Sequence, residues 1–378
     1  MDLPRLDAEL PHLADVAPAV LAAMGVHGFE SRLQLPGDVA GACVLLIDGL
    51  GAELLERHAA DAPVLAGMRR QTLQVGFPST TAAGLAAVGT GCRSGEHGMV
   101  GMSFKLPDVG LINALRWRPH PWGEDLRASA VPEQVQPRAT VFERADSAGV
   151  AVSVVSGAQF TGSGLTRAVL RGGRYIGVHA LGDLAAAVSA AITERGFCYG
   201  YHADLDLVGH LHGPGSPAWR FQLRQVDRLV ESIVEDLPSG GLLAVVADHG
   251  MIALDRAQTV DADRSEALLD GVAALGGEVR ARHVYVRDGA LDDVLAAWRA
   301  ELGERAWVVA RDDAVSAGWF GPRVTDEVLR RVGDVVAAAR GSAGVLRETA
   351  EPVESSLVGQ HGSLTDAEQR IPLLLAVG

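Results

Sequence analysis

Phe77-Pro78-Ser79-Thr80-Thr81-Ala82-Ala83-Gly84 is the stretch whose reading decides the fold. Just upstream, Thr72-Leu73-Gln74-Val75-Gly76-Phe77 reads as a strand, and Pro78, which has no N–H to give a ladder, stops it. Hydroxyl residues then open a small-residue helix predicted over Thr81 to Val88. A hydroxyl there stands among unpaired helix N–H groups at the positive end of the dipole, a setting that suits a phosphoryl group. Ser79, Thr80 and Thr81 would serve equally as ordinary helix caps, so the stretch needs support from elsewhere. That support starts with Val44-Leu45-Leu46-Ile47, an apolar run closed by Asp48 and Gly49. Such a run predicts a buried parallel strand with a carboxylate at its carboxyl end. Open α/β sheets bind their ligands at that edge.

Composition bounds the possibilities. The chain has 378 residues, 48% of them hydrophobic, which predicts a globular protein with a large core. A formal net charge of -14 argues against a nucleic-acid-coating surface. It leaves room for a small anionic substrate, because bound divalent cations reverse the local field. No apolar run approaches the roughly eighteen residues of a membrane span. Met1-Asp2-Leu3-Pro4-Arg5-Leu6-Asp7 lacks the basic and apolar segments of a signal peptide. Cys43, Cys92 and Cys198 are scattered and form neither a disulfide framework nor a CxxC site, so a reduced, cytoplasmic setting is expected.

Along the chain, residues 1–40 read as a polar, proline-containing surface lead-in with a short helical pattern from Val16 to Met24. Strands and helices alternate from Val44, interrupted at 101–137, where five prolines with Trp117 and Trp122 predict a long irregular loop. The rhythm resumes with a helix from Val141 to Ala148 and a strand from Val150 to Val155. Gly162-Ser163-Gly164-Leu165-Thr166-Arg167 reads as a loop, followed by a helix from Leu181 to Arg195 and a strand from Phe197 to His202. Ser216 to Leu237 predicts an amphipathic helix with Phe221, Leu223, Val226, Leu229, Val230 and Ile233 on its apolar side. Leu242 to Ala247 is another buried strand, ending at Asp248. Residues 255–345 change character and read as a smaller inserted α+β subdomain without a ligand motif, after which Ile371 to Val377 closes the main fold. The expected division is therefore 1–254 with 346–378 as one domain, and 255–345 as the insertion.

Four motifs stand where strands are expected to end: Asp48-Gly49, Asp206-Leu207-Val208-Gly209-His210, Asp248-His249-Gly250-Met251 and His361-Gly362. One Asp-His pair is commonly a solvated loop or a structural ion pair. Several at the ends of one sheet's strands form a donor set for Zn²⁺ or Mn²⁺, which carboxylate and imidazole bind at about 2.0–2.2 Å. The six residues suffice for two ions, and Thr81 offers a seventh ligand. Two such ions about 3.5–4 Å apart clamp the attacking and leaving oxygens of an in-line phosphoryl displacement. Coordination would also activate a threonine hydroxyl, which is otherwise a poor nucleophile.

This order of motifs, with Thr90-Gly91, Glu96-His97-Gly98 and Gly213-Pro214 between them, resembles the nucleotide pyrophosphatase/phosphodiesterase family of the alkaline phosphatase superfamily. The match covers roughly 40–100, 140–255 and 350–378. The resemblance implies a three-layer α/β sandwich with a central, mostly parallel sheet and a small α+β insertion. It implies that Asp48, Asp248, His249 and Thr81 hold one zinc and that Asp206, His210 and His361 hold the other. Thr81 would be the nucleophile of a covalent intermediate, the metal pair being zinc with manganese as the alternative, and the substrate a small phosphate ester or nucleotide.

One position departs from the family, which carries an asparagine shortly after the His-Gly motif, against a phosphoryl oxygen. Here Met102 stands there, and a thioether donates no hydrogen bond. Asn113 is the candidate replacement, and Phe160 a candidate for stacking on a substrate ring. The same site would also fit a phosphomonoesterase or a phosphonoacetate-type carbon–phosphorus hydrolase. Met102 admits a third reading, a metal-binding protein without turnover. His97 and His212 read as a structural loop residue and a surface residue.

Overall fold

The computed structural model describes residues 3–7 and 10–378. Its centre is a seven-stranded sheet. The strands, in chain order, are β1 (Gly41–Ile47), β2 (Arg69–Gln74), β3 (Ala151–Gly157), β4 (Arg174–Val178), β5 (Gly196–His202), β6 (Gly241–Val246) and β7 (Arg370–Val377). Across the sheet they run β2-β7-β6-β1-β5-β3-β4. β7 is antiparallel to both its neighbours and the remaining pairs are parallel. β1, β5 and β6 are buried along their whole length, as apolar runs covered on both faces must be.

Helices form the outer layers. α1 (Val16–Ala23), α2 (Thr81–Thr90) and α3 (Val141–Ser147) pack on one another, while α4 (Leu181–Ala191) and α6 (Pro217–Glu235) pack together with α5 (Asp204–His212). The result is the expected three-layer α/β sandwich. α6 starts where the Ser216 hydroxyl accepts the Trp219 N–H, and it buries Leu223, Val226, Leu229, Val230 and Ile233. Phe221, expected on that stripe, is instead 61% exposed.

Four local expectations are corrected. The lead-in is core: Val16, Ala17, Ala19, Val20 and Leu21 are fully buried, because α1 covers β1 and α2. The irregular stretch contains a three-stranded antiparallel sheet of Ser103–Leu106, Gly110–Asn113 and Arg118–Pro119, whose strands are too short for a periodicity signal. Gly164–Val169 is a helix, started by the Ser163 hydroxyl accepting the Thr166 N–H. The helix expected to run to Arg195 stops at Ala191, since β5 already begins at Gly196.

Residues 272–339 build a second sheet, Val272–Glu278, Ala281–Val286, Val335–Ala339 and Ala306–Ala310, antiparallel throughout. It has a core of its own around Leu275, Val284, Trp298 and Val308. Trp319, Phe320, Val328 and Val332 of the same region join the main core instead. Two fully buried ion pairs tie this sheet to the return segment, Arg280 with Glu368 at 2.6 Å and Arg282 with Glu351 at 2.8 Å.

Candidate functional site

β6, β1 and β5 are adjacent and parallel, so their carboxyl ends lie side by side. Asp48 follows β1 directly, Asp248 and His249 follow β6, and Asp206 follows β5. Because β7 is antiparallel, the segment that precedes it returns to this same edge and brings His361 with it. Gly359–Gln360 pairs there with Ile252–Ala253, just beyond His249. Asp206 and His210, whose motif marks a strand end in the sequence, are on a helix and not at the strand end itself. They lie one turn apart on α5, which puts both on one helix face with His210 Nε2 3.1 Å from Asp206 Oδ2.

Thr81 is the first residue of α2, and its Oγ1 lies 3.3 Å from His249 Nε2. His249 Nε2 is also 3.3 Å from Asp48 Oδ1 and 3.6 Å from Asp248 Oδ2. On the other side, His361 Nε2 lies 3.3 Å from His210 Nε2 and 3.8 Å from Asp206 Oδ1. The His249 and His361 rings stack at 3.5 Å, joining the two halves. Asp48, Asp248 and His249 bring donor atoms within 4.8 Å of one another, as do Asp206, His249 and His361.

The donor set fits divalent cations on two observations. Asp48 Oδ1, Asp248 Oδ2 and Asp206 Oδ1 are buried oxygens without a hydrogen-bond partner, and orphaned buried carboxylate oxygens are costly. Each of the three imidazoles turns Nδ1 to a backbone carbonyl: Gly250 for His249 at 3.1 Å, Gly359 for His210 at 2.7 Å and Ser79 for His361 at 2.9 Å. A carbonyl only accepts, so Nδ1 carries the hydrogen and Nε2 presents a lone pair to the centre. His210 and His361 bring these Nε2 atoms within 3.3 Å of each other, close enough for one cation to take both.

Electrostatics agree with a crowded acidic centre. Burial first, then the neighbouring Asp248, pushes the Asp48 carboxyl above its usual range. Burial opposes charge on His210, but the Asp206 carboxylate outweighs it and raises the imidazole. At His361 burial prevails, followed by repulsion from His249, and the imidazole is held neutral.

Two residues here carried no sequence signal. Tyr201, inside β5, donates its hydroxyl to Asp48 Oδ2 at 2.5 Å. Glu278, at the end of Val272–Glu278, lies buried beside Met102, whose N–H is 3.4 Å from its Oε2. Burial pushes that carboxyl up to about 7. Neither is adjacent in sequence to a motif, and the insertion that carries Glu278 has no ligand motif of its own. Asn113 is buried, and its Oδ1 accepts the N–H groups of Leu115 and Arg116, shaping the turn that presents Leu115. Phe160 lines a cavity of about 340 Å³ beside Thr81, together with Leu85, Leu115, Leu165 and Leu207. A larger cavity of about 690 Å³, at Asp15, Arg93 and Arg144, lies by the far end of α2. His97 is buried with Nδ1 accepting the Met99 N–H, and His212 is exposed.

Comparison with known structures gives the same architecture. Murine ectonucleotide pyrophosphatase / phosphodiesterase 5 matches with a TM-score of 0.67 at 17% identity, covering 88% of this chain and 87% of that one. Phosphonoacetate hydrolase from Sinorhizobium meliloti 1021, solved with phosphonoformate, matches with a TM-score of 0.68 at 18% identity, covering 89% and 90%. The human ectonucleotide pyrophosphatase / phosphodiesterase 5 gives 0.67 at 15%, covering 89% and 88%. No curated protein matches the sequence. The description of one family, "Type I phosphodiesterase / nucleotide pyrophosphatase", matches residues 42–364. With the sheet edge, the buried acidic and imidazole donors and the hydroxyl at the head of α2, that match leads to one conclusion: this chain belongs to the type I phosphodiesterase / nucleotide pyrophosphatase family.

Proposed function

We propose that the protein is a two-metal phosphodiesterase, cleaving a small phosphate diester or nucleotide through a covalent intermediate on Thr81. Asp48, Asp248, His249 and the Thr81 oxygen would hold one divalent cation, and Asp206, His210 and His361 the other. Zinc is the proposed metal, manganese the alternative. The observation that carries the reading is the convergence of three Nε2 lone pairs and three unpartnered carboxylate oxygens beside Thr81 Oγ1. Cations bound there supply Lewis-acid charge against the negative charge that develops on the phosphoryl oxygens.

The chain's own residues do the rest. α2 fixes Thr81 at its first turn, where free N–H groups favour an approaching phosphoryl group. Thr81 Oγ1 gives up its hydrogen to solvent and bonds to phosphorus in line as the bond to the opposite ester oxygen breaks. That oxygen takes a proton from solvent and leaves as the alcohol, and water then cleaves the threonyl ester, restoring the hydroxyl and releasing a phosphate monoester. Phe160 would contact the substrate's organic part from the cavity wall. Asn113 serves the substrate indirectly, through the turn that carries Leu115. Residues 255–345 are proposed as an inserted subdomain that lends Glu278 to the site's border. Among the described residues no helix is long and apolar enough to cross a membrane, and the three cysteines are free thiols. A reducing, cytoplasmic location fits both.

The reading is tested on bis(p-nitrophenyl) phosphate. Purified protein loaded with zinc or manganese should hydrolyse it, a chelator should abolish the rate, and re-addition of metal should restore it. Thr81→Ala should lower the rate by at least about 10³-fold while metal content stays near two per chain, a magnitude typical of a lost nucleophile. Full activity in Thr81→Ala would remove Thr81 from the mechanism, and bound metal without hydrolysis of any phosphate ester would leave only the non-catalytic reading.

A further inference from the structure

The cavity beside Thr81 is not explained by metal chemistry. Leu85, one turn along α2 from Thr81, forms its wall with Phe160, Leu165 and Leu170. Leu115 and Leu207 also line it, yet are 42% and 53% exposed, so they stand at its mouth. Leu211, one turn beyond Leu207 on α5, is 52% exposed and extends the apolar surface outward. Together the three leucines make an apolar surface at the cavity mouth, the kind of exposed patch that lines a ligand-binding groove.

The charge in the lining is as telling. No lysine or arginine contributes to it, and its charged side chains besides the candidate metal ligands come down to one carboxylate, Asp204. The Ser163 hydroxyl donates to Thr166 Oγ1 at 3.0 Å and accepts the Thr166 N–H, and the polar side chains of the outer lining, Thr166 and Gln159, are neutral. A carboxylate or second phosphate placed against Leu85, Leu165 and Leu170 would lose water, meet no lysine or arginine and share the lining with Asp204. An alkyl or aryl group carries no charge to desolvate and covers the apolar wall of Leu85, Leu165 and Leu170.

We infer that the substituent kept on phosphorus is uncharged and apolar, so that the preferred substrates are alkyl or aryl phosphodiesters rather than polyphosphates or carboxylated phosphonates. This rests on the phosphodiesterase reading above. It makes Leu115 and Leu207 specificity-determining residues, with Leu211 extending the surface for longer chains.

The test uses full-length protein loaded with metal and p-nitrophenyl esters of methyl, butyl and octyl phosphate, which share one leaving group and differ only in the retained substituent. kcat/KM should rise about tenfold or more from methyl to butyl and rise again to octyl. Leu115→Asn and Leu207→Asn, both at exposed side chains, should reduce the octyl-to-methyl ratio several-fold. Leu207→Arg should raise the rate on the 4-carboxybutyl ester relative to the butyl ester. A flat series, a variant that leaves the octyl-to-methyl ratio unchanged, or a thymidine 5′-ester cleaved faster than the butyl ester would overturn the inference while leaving the hydrolase intact. Failure to hydrolyse any diester would overturn the phosphodiesterase reading itself, and the two failures are told apart by bis(p-nitrophenyl) phosphate.

Discussion

Asp48 illustrates how one residue is divided between orientation and ligation. Its Oδ2 accepts the Tyr201 hydroxyl, and its Oδ1 is left buried and unpartnered. Next to it Gly49 turns with φ at 73°, where a side chain would be strained, and a Cβ there would come within 3.0 Å of Asp206 Oδ1. Tyr201 thus acts through Asp48 as a positioning residue. Tyr201→Phe should keep the fold and weaken metal binding by about 10–100-fold, the usual effect of losing a partner behind a metal ligand. Titration of the metal-free protein against a chromogenic chelator measures it. An unchanged affinity would mean that Asp48 is oriented by the strand end alone.

At the scale of an element, α2 explains why the helix behind Thr81 is built from small residues. A Cβ on Gly84 would lie 2.4 Å from Asp248 Cβ, and one on Gly89 would lie 1.8 Å from the Val169 carbonyl. The helix must touch the β6 end on one side and the helix Gly164–Val169 on the other, and only glycine allows it. Gly84→Ala should therefore cost about 1–3 kcal/mol through overpacking and displace Asp248, lowering both melting temperature and bound metal. Gly67→Ala is the control: nothing lies within 4 Å of the added methyl and the helix Pro63–Gly67 is exposed there, so its melting temperature should not fall. If Gly84→Ala melts like the control and binds metal fully, the close approach carries no function.

Across the whole molecule, stability and site assembly depend on joints between the second sheet and the segments packed around it. Arg282 pairs with Glu351, which also meets His120 at 2.8 Å, all three buried. Removing one partner of such a pair strands a buried charge, so Arg282→Ala should destabilise by about 3–5 kcal/mol in denaturant unfolding. A loss under about 1 kcal/mol would show that the joint is redundant. A second joint is His283, whose Nδ1 accepts the Gly333 N–H and whose Nε2 donates to the Val100 carbonyl, so the neutral ring is fully satisfied. Burial pushes His283 down to about 4, and burial with the Arg331 charge pushes His97 down to about 3. Both folded values lie below that of an unfolded histidine near 6.5. The unfolded chain then binds protons that the folded one refuses. The contribution is complete above pH 6.5 and is lost as pH falls towards 4, by on the order of 3 kcal/mol for His283. Unfolding in urea at pH 7 and pH 5 measures the slope. His283→Gln should flatten it, and an equal slope in that variant would assign the effect elsewhere.

The sequence by itself determined what is local. Apolar runs closed by Asp48 and Asp248 marked buried strands with carboxylates at their ends, and the small-residue helix after Pro78 was legible from composition alone. The family was legible in the order of the motifs. What depends on short or crossed connections was not legible: the three-stranded sheet within 101–137 gives too few residues per strand for a period, and α1 reads as a polar lead-in until its neighbours cover it. Only the tertiary structure decided that an antiparallel β7 returns His361 to the edge where β1, β5 and β6 end. It alone brought Tyr201 behind Asp48 and Glu278 beside Met102, because contacts between residues 150 or more positions apart are set by strand order and packing, and no local pattern encodes them.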